Sequence, residues 1–586
     1  MSSPVAQALR VHQQAVRRVP LQFDENGDPI FNSVTSPDCF KARALGVMPP
    51  KHVIPVIFVP GIMGSNLRAN GNLLPRGAPA WLPPNGISNG LDEWRRRKKQ
   101  EPRDRQVQMA ADGVEVDDTG PVSIPRTVFT LTEAEAKRRG WGEVHLDSYG
   151  GILAELELAL NDQYVEAGTQ AATPMAAWKV AMTLRRDSDH RYNEQIDVVK
   201  NDWHPVAGTD VPPLTEEEFR RLGDYYYPVW ACGYNWLDSN EVASDRLIQR
   251  INEALEWYKK GKYWIPVGKV IVVTHSMGGL VARRAAQKAG DSILGVVHSV
   301  QPVGGAPVVY RRFRAGTEAN GVFDIPAAVA AEIIGWDAAD VTCVLANSPG
   351  PLELLPTKHH PPGWLRFESR SGGETKELMP ALPVSDPYEE IYSKTVQNVW
   401  WGMIDETLID PAKLTGSRGK TPMRAYGEAL AAARAFHDAL KLECHPVTYA
   451  HFGSDPKHVS FGRVTWATSD ALTPGRADML PVARATSHTK LGASTLTLGD
   501  ETATFRLVKH EPASEDDKAN AGDGTVPLPS GLLINRCSPL PKVFSMTGFD
   551  HQMSYENLHV QKNVLYCMAR IAQLATPVSQ LPSCKE

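Results

Sequence analysis

Five short apolar runs stand out along the chain, and most run directly into a turn signal. Val53 to Val59 leads into Pro60-Gly61, Tyr227 to Cys232 into Gly233, Val270 to Val273 into Thr274-His275-Ser276-Met277-Gly278-Gly279, and Val543 to Met546 into Thr547-Gly548; Ile293 to Val303 is the fifth. Runs that lack regular polar alternation predict strands buried on both faces, as in a parallel sheet covered by helices. Helical spacing fills several intervals. Ile152, Leu153, Leu156 and Leu160 line one side of a segment from Leu146 to Leu160, and Asp245 to Lys259 reads as a capped amphipathic helix. After Ser276, Leu280, Val281 and Ala285 give an apolar side, Arg283, Arg284 and Lys288 a polar one, and Gly290 a stop. Alternation of such strands and helices predicts an α/β fold with a mostly parallel central sheet.

The remaining segments predict large insertions. Residues 1–50 read as an arm with a first helix from Pro4 to Arg18, and 51–310 as the first part of the core, interrupted by an insertion at about 69–226. That insertion holds the basic run Trp94-Arg95-Arg96-Arg97-Lys98-Lys99, either a solvated face or a phosphate or membrane contact. Residues 311–440 are expected to form a helical cap or lid. Ile325 to Leu345 is apolar and Ala-rich, and Val396, Val399, Trp400, Met403 and Ile404 recur at helical intervals. Exposed Trp400 or Trp401 on such a lid would dock on a bilayer; packing onto the main domain is the other reading. Residues 441–586 complete the core, with a β-hairpin insertion at about 465–515, where Thr and apolar residues alternate on either side of Gly499-Asp500.

Chemistry enters at Ser276. A β-branched run, a small-x-Ser-x-Gly turn and a helix are the pattern of a nucleophile elbow, with Thr274 where the first Gly usually stands. The turn lifts the hydroxyl clear of the sheet and aims helix N–H groups at an oxyanion. A second amide comes from the loop after an early strand, which nominates the backbone N–H groups of Ile62 and Met277. In this fold the acid and then the base follow the nucleophile. Asp523, in the tight loop Gly522-Asp523-Gly524-Thr525-Val526-Pro527, and His551, just after Val543 to Met546, occur in that order. Asp550 and His559 are the competing candidates.

These motifs carry a family resemblance. Pro60-Gly61-Ile62-Met63-Gly64-Ser65, Gly233-Tyr234-Asn235-Trp236, Thr274-His275-Ser276-Met277-Gly278-Gly279 and Gly522-Asp523-Gly524-Thr525-Val526-Pro527 resemble the lecithin:cholesterol acyltransferase and GPI inositol-deacylase branch of the α/β hydrolases. Arg139 to Val144, Asp147 to Gly150 and Phe549 to Tyr555 narrow the likeness to type VI secretion lipase effectors, antibacterial phospholipases. The resemblance spans about residues 50–310 and 440–565. It implies an α/β-hydrolase fold and hydrolysis of phospholipid acyl esters by a Ser276–His551–Asp523 triad. It also implies a membrane surface as substrate, a cognate immunity protein, and a secretion spike or adaptor as carrier. The alternatives are a housekeeping lipid esterase or acyltransferase of the same fold, and a non-catalytic lipid-binding module.

Composition narrows the partners. A net charge of -5 argues against non-specific nucleic-acid binding and gives no broad attraction to anionic lipid, so membrane docking is expected to be local. Seven scattered cysteines, odd in number and without metal-ligand spacing, read as free thiols made in a reducing compartment. The first residues, Met1 to Arg10, predict no secretory signal, and no run approaches the roughly 18 apolar residues of a membrane span. The expectation is synthesis in the bacterial cytoplasm and signal-independent delivery to the periplasm or membrane of a target cell. No cofactor is called for by this chemistry, and a structural Ca²⁺ is compatible with it.

Overall fold

A computed structural model describes residues 16–32, 43–83, 100–125, 131–167, 170–182, 203–206, 208–317, 335–394, 399–473, 475–509, 511 and 518–576. The strands used below are β1 (Val56–Val59), β2 (Val229–Ala231), β3 (Val270–His275), β4 (Ile293–Ser299), β5 (Leu365–Ser371), β6 (Glu374–Leu382), β7 (Thr448–Gly453), β8 (Val464–Thr468), β9 (Ala485–Thr489), β10 (Ala493–Leu498), β11 (Glu501–Leu507) and β12 (Lys542–Met546). The helices are α1 (Leu146–Asn161), α2 (Asn240–Lys260), α3 (Gly278–Ala289), α4 (Val308–Ala315), α5 (Ala338–Leu345), α6 (Pro422–Leu440) and α7 (Leu558–Ala572).

The central sheet has six strands in the order β2-β1-β3-β4-β7-β12, all parallel. The period of two divides each apolar run between two cores. Ile57, Val59, Val270 and Val272 face one core, with Leu247 and Ile251 of α2 and Val281 of α3. Val56, Phe58, Ile271 and Val273 face the other, with Leu153 and Leu156 of α1 and Val564 and Ile571 of α7. Both faces of the sheet are therefore covered, which is why polar alternation is missing from these strands.

Several boundaries move for local reasons. The helix expected from Asp245 begins at Asn240, because the Ser239 side chain accepts the Glu241 N–H and the buried Glu353 carboxylate receives the Ser239 hydroxyl and the Asn240 N–H. The run beginning at Ile293 stops as strand at Ser299, where Val300 takes a φ of +48°. Residues 4–15 of the expected first helix lie outside the described residues, and its end, Val16–Arg18, is a strand paired in parallel with Arg43–Leu45. The basic run at 94–99 also lies outside them. Arg283, expected on a polar face, is buried and donates to the carbonyls of Glu443 and Lys441 just past α6.

A second, mixed six-stranded sheet has the order β6-β5-β8-β11-β10-β9. It unites the two later insertions: β5 and β6 come from the segment read as helical, and β8 to β11 follow β7. Gly372-Gly373 joins β5 to β6, and β10 and β11 form a hairpin with Leu498 opposite Glu501. The bilayer-docking reading of Trp400 and Trp401 is overturned, and they pack inside instead. Trp400 is 0% and Trp401 4% exposed, and the Trp400 ring packs on Phe367, Trp466 and Phe505 with centroids 5.5, 5.5 and 4.6 Å away. Its indole N–H donates to the Leu480 carbonyl at 3.0 Å. These rings are in the core under the second sheet, where helical spacing alone does not show that strands far along the chain, bearing Trp466 and Phe505, will cover them.

Candidate active site

The parallel sheet brings several distant chain segments to one edge. Ser276 follows β3, the Pro60 to Ser65 loop follows β1, and His551 lies a few residues beyond β12. Asp523 arrives there indirectly. After β7 ends at Gly453 the chain leaves to build β8–β11, then returns, and Gly522 pairs with Asp455 through two backbone hydrogen bonds of 3.0 and 3.1 Å. Loops beyond the carboxyl ends of parallel strands are where α/β sheets place ligands.

Ser276 is held at φ +51°, a left-handed conformation that costs a non-glycine residue on the order of 1–3 kcal/mol. The sheet sustains it: its N–H donates to the Ser299 carbonyl at 2.9 Å, and its own carbonyl accepts from Gly279 N–H at 2.9 Å. Gly278 makes the turn sterically feasible. A Cβ there would stand 2.5 Å from the carbonyl oxygens of both Val59 and Pro60. Thr274, in place of the commoner Gly, fits because its hydroxyl reaches Nδ1 of the buried His298 at 3.0 Å. Its carbonyl accepts from the Tyr555 hydroxyl at 2.9 Å, so the Phe549 to Tyr555 motif braces the elbow from below.

The structure brings Ser276, His551 and Asp523 together in one line. His551 Nε2 is 2.9 Å from Ser276 Oγ, and His551 Nδ1 is 2.8 Å from Asp523 Oδ2. Oδ1 of Asp523 accepts the N–H groups of Thr525 and Val526 at 3.0 and 2.7 Å, which fixes the carboxylate from behind. The N–H of His551 donates to the Asp523 carbonyl at 2.7 Å. With the Nδ1 proton on the carboxylate side, Nε2 is left as an acceptor for the Ser276 hydroxyl. All three residues are buried, with His551 7% and Ser276 4% exposed. The competitors make other contacts: Asp550, exposed beside the Asp523 loop, accepts the Gln552 N–H, and the backbone N–H of His559, the second residue of α7, donates to Asn557.

Ile62 and Met277 flank Ser276. Met277 is the N-terminal cap of the twelve-residue α3, where the helix field favours negative charge. Ile62 follows Gly61, where an added Cβ would lie 3.0 Å from Ser276 Cβ and 2.8 Å from His275 Nδ1. That approach is open only to glycine. Two side chains that sequence reading did not single out complete the surroundings. His275 is buried, its pKa pushed down to about 3 by that burial and next by the charge of His551, and it contacts Tyr149 and the His551 backbone. A helical first turn and an elbow position give no local hint that these two would meet. Among the described residues, no group of three or more His, Cys, Asp or Glu side chains is placed to hold a metal ion. Among them too, no helix is long and apolar enough to cross a membrane.

No protein-family model and no curated protein matches the chain. Among solved structures, it is similar to Tle4 in the crystal structure of the Tle4–Tli4 complex, with a TM-score of 0.72 and 29% sequence identity. The match covers 89% of this chain and 99% of that one. The chain therefore has the α/β-hydrolase fold, and this likeness to Tle4 bears out the resemblance of its motifs to the type VI secretion lipase effectors.

Proposed function

We propose that the protein is a serine lipase that cleaves fatty-acyl esters of membrane phospholipids, acting as an antibacterial effector delivered by type VI secretion to the periplasm or membrane of a neighbouring cell. The observation that carries the chemistry is the buried line from Asp523 through His551 to Ser276 beneath a strained elbow. The likeness to Tle4 supports the lipid substrate and the effector role.

In this mechanism His551 Nε2 takes the Ser276 proton as Oγ attacks the ester carbonyl. Asp523 holds the Nδ1 proton and offsets the imidazolium charge. The carbonyl oxygen, now anionic, is received by the amides of Ile62 and Met277. His551 returns its proton to the departing glycerol oxygen as the ester bond breaks, leaving an acyl-Ser276 and a lysolipid. Water enters, gives a proton to Nε2 and attacks the acyl carbon. Collapse releases the fatty acid and re-forms the Ser276 hydroxyl with that proton. In this reading the described parts of the 311–440 insertion cover the acyl site. The solved relative is a complex of Tle4 with Tli4, and we propose an immunity protein in the same role here, held by the producing cell to block the site.

The test is fatty-acid release from mixed phospholipid liposomes, wild type beside Ser276→Ala, with products resolved by mass spectrometry. Release of one fatty acid per lysolipid by the wild type alone supports the proposal. Equal release by Ser276→Ala removes the serine mechanism. Hydrolysis confined to soluble short-chain esters favours a general esterase, and new esters formed with added alcohols favour an acyltransferase.

A further inference from the structure

Around the triad runs a second line of hydrogen bonds, and every proton in it has a fixed owner. The Gly61 N–H donates to the Tyr149 hydroxyl oxygen at 3.2 Å. That hydroxyl lies 2.9 Å from His275 Nδ1, and His275 Nε2 lies 3.0 Å from the carbonyl oxygen of His551. A carbonyl only accepts, so Nε2 carries the proton. The neutral ring then has its lone pair on Nδ1, which makes the Tyr149 O–H the donor to it. Burial keeps the His275 ring neutral, and it likewise keeps the Tyr149 phenol protonated. The direction is set: Gly61 N–H to Tyr149, Tyr149 O–H to His275, His275 N–H to His551 carbonyl.

Packing ties the same groups together. The turn from Gly61 to Gly64 closes on itself, with Gly64 N–H on the Gly61 carbonyl at 3.1 Å. It wraps the Tyr149 phenol so closely that a Cβ at Gly64 would lie 2.7 Å from the ring and 2.9 Å from its oxygen. The ring also packs against Phe58 and His275, with centroids 5.1 and 5.5 Å away. Tyr149 comes from the first turn of α1, His275 from the last residue of β3, and neither reaches Ser276 or Asp523 through a side-chain hydrogen bond of its own.

We propose that Tyr149 and His275 are positioning residues that lock the loop bearing the Ile62 amide to the backbone of the catalytic base, so that oxyanion donor and base keep one mutual geometry. This rests on the serine-hydrolase reading above and adds to it the device that holds its two halves in register. Donors that are aimed before the reaction stabilise a developing charge far better than donors that must reorganise, and displacements near 1 Å cost orders of magnitude in rate. The ground-state ester makes little use of that alignment, so the defect belongs in kcat rather than KM.

The experiment uses three full-length variants on a soluble short-chain ester, with active sites counted by a fluorophosphonate that modifies Ser276. Tyr149→Phe keeps the packed ring and removes the middle of the line. His275→Asn keeps an acceptor near the Nδ1 position and removes the donor to His551; His275→Gln does the reverse. The expected result is a fall in kcat per titrated site of about 10- to 100-fold for Tyr149→Phe, with KM within about twofold. Each His275 variant should lose part of that, and a boronate that mimics the tetrahedral adduct should weaken by the same factor as kcat. Wild-type turnover per titrated site in all three variants, with only the titratable fraction reduced, would show that the line merely holds the fold and would overturn the inference. If the fluorophosphonate leaves wild-type Ser276 unmodified, the serine reading itself fails and the inference falls with it, an outcome distinct from the former.

Discussion

The N–H of Ser276 is bonded to the carbonyl of Ser299 on the neighbouring strand, 2.9 Å away, at the very residue whose φ turns to +51°. The sheet thus continues to grip Ser276 while its backbone is bent out of the sheet's own conformation. Strain of this kind is relieved by glycine, though glycine also loses more entropy on folding. Against Ser276→Ala, which loses the same hydroxyl and its bond to His551, we expect Ser276→Gly to be at least as stable, by up to about 1 kcal/mol in denaturant unfolding, while hydrolysis disappears in both. A glycine variant less stable than the alanine variant would show that the elbow is not strained.

Gly278 is the opposite case. Its absent Cβ is replaced by two main-chain oxygens that have nowhere to retreat, since both belong to the end of β1 and the loop after it. Gly278→Ala should lower stability by about 2–3 kcal/mol and displace the Pro60 to Ser65 loop, with turnover falling more than Ser276 accessibility. Thermal unfolding alongside turnover per titrated site measures both. An alanine variant with wild-type stability would contradict the contact.

Trp400 should behave as a core residue. Trp400→Ala removes a ring wedged between Phe367, Trp466 and Phe505 and is expected to cost about 3–5 kcal/mol, without a specific loss of liposome binding by the folded fraction. Normal stability combined with lost binding would restore the bilayer-docking reading.

Acid should unfold the protein early. Burial pushes the pKa values of His275 and His298 down to about 3 and those of His360, His437 and His451 to about 4. Each is neutral in the fold and takes up a proton on unfolding once the pH drops below about 6.5, the unfolded value. The stability they contribute is complete above that pH and is lost as the pH falls towards 4, by up to roughly 1.4 kcal/mol per unit for each ring. Melting temperature should therefore drop steeply between pH 6.5 and 4.5; a flat profile would place these rings in contact with solvent.

Much of the site is legible in the chain because its parts are local. The elbow needs a run of β-branched residues and two glycines within ten positions, and the Asp523 loop needs glycines on either side of its acid. Both are short-range steric demands. The line through Tyr149 and His275 joins residues 126 apart, and no local pattern announces it. The second sheet is only partly legible, for a different reason. Leu365 and Phe367 alternate with polar residues and Gly372-Gly373 follows, a hairpin signal, but it sits inside the apolar, helix-spaced neighbourhood of 311–440. Burial of Trp400 depends on strands contributed from beyond β7, and spacing within one segment carries no information about them.

In the proposed mechanism Ser276 is the nucleophile of a triad with His551 and Asp523. The most direct measurement is the intact mass and peptide map of the protein after brief exposure to a fluorophosphonate, for the wild type and for Asp523→Asn. The wild type should gain one adduct, located on Ser276, and Asp523→Asn should gain it about 10³- to 10⁴-fold more slowly, because the base loses the carboxylate that fixes its tautomer. An adduct on another residue, or equal rates in the two proteins, would rule out Ser276 as a nucleophile activated through His551 and Asp523.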